Sequence, residues 1–163
     1  MMGISLKRGW LDVILACAML AGLAALAHAA PPLPHADDLA RVAAEARKRH
    51  VPVLLAFTEE TCPYCVRARR HLAPLQASAE WGPRAIMREI DVESTARLRD
   101  FQGEWTTPRD FARRYGIRTV PTVIVFDAQG RPAADPVVGI TSDDYYTFYV
   151  VQALEKATGR TAQ

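Results

Sequence analysis

Val53-Leu54-Leu55-Ala56-Phe57-Thr58-Glu59-Glu60-Thr61-Cys62-Pro63-Tyr64-Cys65 is the stretch on which the fold turns. It opens as an uninterrupted apolar run, the pattern of a strand buried on both faces. Pro52 stands at its start, where no ladder donor is needed. Thr58 to Thr61 is a turn, and Val66 to Leu72 continues as a helix with Arg67, Arg69 and Arg70 expected in solvent. Pro74 is expected to kink or end that helix. Cys62 then lies at a helix N-terminus. Its sulfur faces unsatisfied backbone N–H groups and the positive end of the helix dipole. Both favour thiolate over thiol, so its pKa is expected to fall below the free value of about 8.5. Pro63 loses nothing by lacking an N–H in the first turn. Cys65 follows nearly one turn later, within reach of Cys62. The pattern assigns Cys62 as nucleophile and Cys65 as resolver of the mixed disulfide.

Working outward, Asp37 or Asp38 can cap a helix over about 38–49, with Leu39, Val42, Ala43 and Ala46 at helical spacing. Residues 85–92 form the next strand candidate. Helical stretches are expected around Thr95–Phe101 and Pro108–Tyr115, separated by Gly103-Glu104-Trp105 and ended by Gly116. Thr122-Val123-Ile124-Val125-Phe126 is a strong strand, Asp127-Ala128-Gln129-Gly130 a turn, and Val137-Val138-Gly139 a short return strand. Ser142 opens a last helix over about 143–157. Its Tyr145, Phe148 and Tyr149 are expected in the core rather than at a cofactor. Alternation of strands and helices predicts an α/β fold with parallel pairing and a terminal antiparallel hairpin.

A zinc site needs about four ligands. Two cysteines supply half of them, and His35, His50 and His71 bring no ligand spacing, so no metal is expected. Two cysteines so close together close too short a ring to stabilise the chain much, so an inert structural disulfide is a poor explanation for the pair.

A second segment, Tyr115-Gly116-Ile117-Arg118-Thr119-Val120-Pro121-Thr122, places a proline at the opening of a strand. With Phe57 to Cys65 it resembles the two signature segments of the thioredoxin superfamily, over about residues 37–159. The chain is most similar there to periplasmic thioredoxin-like proteins of the SoxW kind. The Phe-Thr-x-x-Thr-Cys approach is also similar to disulfide isomerase DsbC, and Cys-Pro-Tyr-Cys is shared with glutaredoxins. The resemblance implies a thioredoxin fold: a central mixed β-sheet flanked by helices, with an inserted helical segment, residues 93–114, before a cis-proline at Pro121. It implies that Pro63, Tyr64, Val120 and Pro121 bind an extended substrate, with Val120 offering backbone hydrogen bonds. It also implies a disulfide more oxidising than thioredoxin's, which stands near −270 mV. Two departures stand out. Thr61 replaces the family's tryptophan before the first cysteine. Ala56 replaces its buried aspartate, so proton transfer at Cys65 must use water or another group. Glu59 and Glu60 are the candidates for a relay, against the plainer reading of two exposed loop carboxylates. Trp81 and Trp105 are read as packing residues rather than a partner surface.

Residues 1–29 read as a secretory signal peptide: Lys7 and Arg8, an apolar run from Val13 to Ala27, and the small-x-small site Ala27-His28-Ala29. The run of about 15 residues falls short of the roughly 20 that span a bilayer, so a retained anchor is the weaker expectation. Asp12 sits awkwardly in either reading, and Cys17 lies too early for a lipoprotein site. Residues 30–36 form an extended spacer around Pro31-Pro32-Leu33-Pro34, residues 37–159 the domain, and 160–163 a tail. Of the three cysteines, cleavage leaves only Cys62 and Cys65, in a compartment where disulfides persist. The near balance of 20 Lys+Arg against 18 Asp+Glu gives no ground for nucleic-acid binding.

The expected function is therefore that of an exported, periplasmic thiol–disulfide oxidoreductase, monomeric, with no cofactor beyond the Cys62–Cys65 disulfide. It is expected to reduce protein disulfides and to be re-reduced by a membrane electron donor. The alternatives are a disulfide-forming oxidase, or a non-catalytic redox-dependent chaperone or metal-delivery module.

Overall fold

The computed structural model describes residues 30–161. The signal-peptide reading, Asp12 and Cys17 fall on residues 1–29, outside the described residues. The elements, in chain order, are α1 (Leu39–Arg49), β1 (Val53–Thr58), α2 (Pro63–Ala77), β2 (Ile86–Asp91), β3 (Leu98–Arg99), β4 (Trp105–Thr106), α3 (Pro108–Arg114), β5 (Thr122–Phe126), β6 (Val137–Val138) and α4 (Asp143–Thr161).

The main sheet has the order β2-β1-β5-β6. β1 pairs parallel with β2, from Val53↔Ile86 to Thr58↔Asp91. It pairs antiparallel with β5, from Val53↔Phe126 to Phe57↔Thr122, and β5 pairs antiparallel with β6. The sheet is mixed, as the resemblance implies. Simple alternation of strands and helices predicts a parallel β5 instead. The intervening hairpin and α3 bring β5 in from the opposite end.

The sheet carries a core on each face. Leu54, Ala56, Met87, Val123 and Val125 pack against Ala68 and Leu72 of α2 and Tyr146, Val150 and Leu154 of α4. Val53, Leu55, Phe57, Ile90, Ile124 and Phe126 pack against α1 and against Phe111 and Ala112 of α3. This two-sided burial is why β1 reads as a continuous apolar run. α1 is capped by Asp38, whose side chain accepts from the Arg41 amide at 2.8 Å. It ends at His50 in the left-handed conformation.

Four expectations are corrected. The stretch Thr95–Phe101 is not helical: its Leu98 and Arg99 form β3, which pairs with Thr106 and Trp105 of β4 in a hairpin. Asp100 is the reason: its Oδ1 accepts from the amides of Gln102 at 3.0 Å and Glu104 at 2.9 Å, giving the backbone a turn in place of a helix. The inserted segment is thus half hairpin and half helix. Of the two effects expected of Pro74, a kink or an end, the end is not seen: α2 runs on to Ala77 and closes where Ser78 Oγ donates to the Leu75 carbonyl at 2.7 Å. On α4 the core face is Tyr146, Val150 and Leu154, whereas Tyr145, Phe148 and Tyr149 are exposed. Finally, Trp81 is buried as expected but Trp105 is exposed, with the Arg97 guanidinium 4.3 Å from its ring.

Candidate active site

The ends of β1 and β5 meet at one end of the sheet, and the site is built there. β1 delivers the chain through Glu59 to Thr61 onto Cys62, which is the N-cap of α2. Pro63 takes the first helical position. The Cys62 Sγ accepts a hydrogen bond from the Cys65 amide at 3.1 Å. The sulfur thus occupies the place of a capping oxygen, where the helix has N–H groups to offer. Cys62 and Cys65 form a disulfide, their Cα atoms 5.2 Å apart. Cys62 is partly exposed and Cys65 fully buried. An incoming sulfur therefore meets Cys62 first, while Cys65 is screened.

Pro121 lies one residue beyond the Phe57–Thr122 pair, so it faces the exit of β1 toward Cys62. The Val120–Pro121 peptide bond is cis. Two hydrogen bonds fix this corner. Thr122 Oγ1 donates to the Thr119 carbonyl at 2.7 Å, and the Gly139 amide donates to the Pro121 carbonyl at 2.8 Å. Val120 is half-buried and shares with Glu59 a cleft of about 230 Å³ whose rim carries Arg109, Arg113 and Arg118. Tyr64 is 56% exposed. The Arg67 guanidinium lies 5.8 Å from its ring centroid and pairs with Asp143 at 3.1 Å. Asp143 also receives His71 Nε2 at 3.1 Å, and His71 Nδ1 meets Thr147 Oγ1 at 3.1 Å. Hydrogen bonds from Arg67 and His71 hold the Asp143 carboxyl below the usual range, so the start of α4 is tied to the active-site helix.

Glu59 is half-buried and Glu60 exposed. They stand on opposite sides of the loop: Glu59 lines the cleft with Val120, and Glu60 lines another with Glu89. Arg69, expected in solvent, is instead ion-paired. Its Nε and Nη2 donate to Glu89 Oε1 at 2.9 and 2.7 Å. Glu89 itself is the residue the sequence reading missed. The signal was a single acid in the apolar strand Ile86-Met87-Arg88-Glu89-Ile90, at an inward-facing position. His35 and His50 lie elsewhere, His35 beside Glu89 on the outer edge of β2 and His50 at the end of α1.

Comparison with known proteins agrees with this construction. The family model of the thioredoxin-like domain matches residues 39–154. No curated protein matches the chain in sequence. Among solved structures, thioredoxin O2 from Arabidopsis thaliana in its oxidised state is similar, with 14% identity, TM-score 0.52, and 74% of this chain and 93% of that one covered. Mitochondrial thioredoxin 3 from Saccharomyces cerevisiae, also oxidised, has 14% identity and TM-score 0.51, covering 76% and 93%. Trxlp from Edwardsiella tarda EIB202 has 18% identity and TM-score 0.51, covering 71% and 94%. At these identities the structural likeness concerns the fold, and the matched family model together with the Cys62–Cys65 disulfide carries the chemistry. The chain belongs to the thioredoxin-like family and is a thiol–disulfide oxidoreductase with Cys62 and Cys65 as its redox pair.

Proposed function

We propose that the protein is an exported reductase of protein disulfides, of the SoxW kind, kept reduced by a membrane electron donor. The observation that carries the substrate class is the contrast between the two sulfurs, one partly exposed beside an open surface and one fully buried. In the reductive direction the Cys62 thiolate attacks a substrate sulfur and forms a mixed disulfide, releasing one substrate thiolate. The Cys65 thiolate then attacks the Cys62 sulfur. The Cys62–Cys65 bond forms, the second substrate thiol leaves, and two electrons have passed to the substrate. Pro63, Tyr64, Val120 and Pro121 serve as the docking surface, with the extended substrate lying along Val120. Glu59 and Glu60, the relay candidates, lie in the loop that carries Cys62.

The direction of electron flow is supported by the resemblance and by the size of the insertion between β2 and β5. That insertion holds a two-stranded hairpin and the short α3, not the helical domain that DsbA-type oxidases insert. The test is acid-quench trapping of the Cys62–Cys65 pair in cells, combined with insulin reduction in vitro. A largely reduced pair, with insulin activity lost in Cys62→Ser, is expected. A largely oxidised pair overturns the reductase in favour of the oxidase. Export is tested by N-terminal sequencing of the secreted form, with cleavage expected after Ala29.

A further inference from the structure

A carboxylate is buried behind the active-site helix. Glu89 is 3% exposed. It lies on β2 in register with Ala56, so it shares the sheet face on which Leu54, Ala56 and Met87 meet α2. Thr58 Oγ1 donates to Glu89 Oε1 at 2.7 Å, onto the same oxygen that Arg69 grips twice. Arg69 Nη2 also reaches Thr58 Oγ1 at 3.2 Å and the Glu59 carbonyl at 3.3 Å. An ion pair on a buried carboxylate is a poor route to stability, because desolvation of that group offsets much of the attraction. Its location gives a better reason for it.

Arg69 follows Cys65 by four residues on α2. Residues so spaced are neighbours on one helix face, with Cβ atoms about 5–6 Å apart. Helical side chains lean toward the N-terminus. The guanidinium therefore extends back along the turn that holds Cys65, and its bond to the Glu59 carbonyl, ahead of the helix, fixes that direction. Cys65 is fully buried and the Arg69 side chain 27% exposed, so water screens the two from each other only in part.

We propose that the Arg69–Glu89 pair sets the redox poise of the Cys62–Cys65 centre. Arg69 favours the thiolates of the reduced state, and Glu89 opposes that effect. Both are positioning residues that act through the cysteines. The other charged groups nearby are Glu59 and Glu60 in the loop, Asp91 at the end of β2, His35 on the outer edge of β2, and Arg67 and His71, both engaged by Asp143 of α4. All of these are common to the variants below, so differences among the variants report the pair.

The proposal rests on Cys62 and Cys65 being the redox pair and is independent of the direction of electron flow in the cell. It is tested on the full chain by pH-dependent alkylation of Cys62 and by equilibration with glutathione, for wild type, Glu89→Gln, Arg69→Met, Arg69→Lys and the Glu89→Gln/Arg69→Met double variant. Glu89→Gln is expected to lower the Cys62 pKa by about one unit and make the disulfide more oxidising by up to tenfold in its equilibrium constant. Arg69→Met is expected to do the opposite, while Arg69→Lys and the double variant stay near wild type. A purely structural role would move both single variants the same way. That result, or an unchanged Glu89→Gln, overturns the proposal. Should Arg69→Met not fold, Glu89→Gln against wild type decides by the same criterion. Absence of any glutathione equilibrium in wild type would overturn the redox reading itself, an outcome distinct from a flat variant series.

Discussion

Ala56 stands directly opposite Glu89 across the parallel β1–β2 pair. The carboxylate behind the active-site helix therefore comes from the second strand and not the first. Adjacent strands lie about 4.8 Å apart, so a second acid at residue 56 would share a dry space with Glu89. Ala56→Asp is expected to destabilise the fold by about 3 kcal/mol through that repulsion. Urea unfolding of the double variant Ala56→Asp/Glu89→Gln should recover at least half of the loss, read as a coupling in the mutant cycle. Equal losses in both backgrounds would mean the damage is steric.

The two cysteines should separate in function. Cys62→Ser is expected to remove insulin reduction entirely. Cys65→Ser should retain the first attack and accumulate mixed disulfides, because nothing then displaces the captured substrate. Non-reducing electrophoresis checks this: adducts on Cys65→Ser that persist after Cys62 is also replaced would contradict the assigned roles.

Acid should loosen the hairpin. Burial pushes the Asp100 carboxyl up, but Arg114, at 2.6 Å, and the amides of Gln102 and Glu104 outweigh it and hold the carboxyl below its usual 3.8. A folded-state pKa below the unfolded one gives stabilisation that is complete above the unfolded value and is lost as pH falls through the folded value. Stability of the wild type should therefore drop below about pH 4. In Asp100→Asn this component should be absent, with about 2 kcal/mol less stability at neutral pH. Thermal melts from pH 7 to pH 2 distinguish the two; parallel curves would refute the assignment.

Tyr146 gives the contrary case. Its hydroxyl is buried without a hydrogen-bond partner among the described residues, and burial pushes its pKa upward. Tyr146→Phe keeps the ring packed edge-on to His71 and removes a desolvated oxygen. It should leave stability unchanged or raise it by up to about 1 kcal/mol in chemical denaturation. A loss of that size would show that the oxygen is satisfied.

Gly130 should resist any side chain. Its φ is +80°, and a Cβ there would come within 2.5 Å of the Phe101 ring. Phe101 is wedged between Phe111 and Phe126 and has little room to yield. Gly130→Ala is expected to cost about 2–3 kcal/mol from backbone strain plus overpacking. A melting temperature within 2 °C of wild type would count against this packing.

What the sequence disclosed follows the physics of each signal. β1 and β5 are buried on both faces, so their apolar runs mark them without help from partners. Cys62, Pro63, Cys65 and Pro121 were legible because helix-cap chemistry and strand-opening proline are local. The β3–β4 hairpin was not, since it depends on Asp100 being fixed by Arg114, fourteen residues away. Glu89 was passed over for a related reason: a lone acid at an inward strand position declares itself a buried charge only once Arg69, from another element, is seen to pair with it. The aromatic face of α4 misled because period alone cannot say which side of a helix is turned inward.

Residues 34–36 lie along the outer edge of β2. The Glu89 amide donates to the Pro34 carbonyl at 2.9 Å and the Ala36 amide to the Glu89 carbonyl at 2.8 Å. That flank of the sheet is thereby closed to intruding strands, a protection against edge-to-edge aggregation. The opposite flank, at β6, stays unpaired among the described residues and carries the exposed Val138. A polypeptide that added itself to this sheet would therefore find its open edge at β6, beside the Pro121 corner that the Gly139 amide holds.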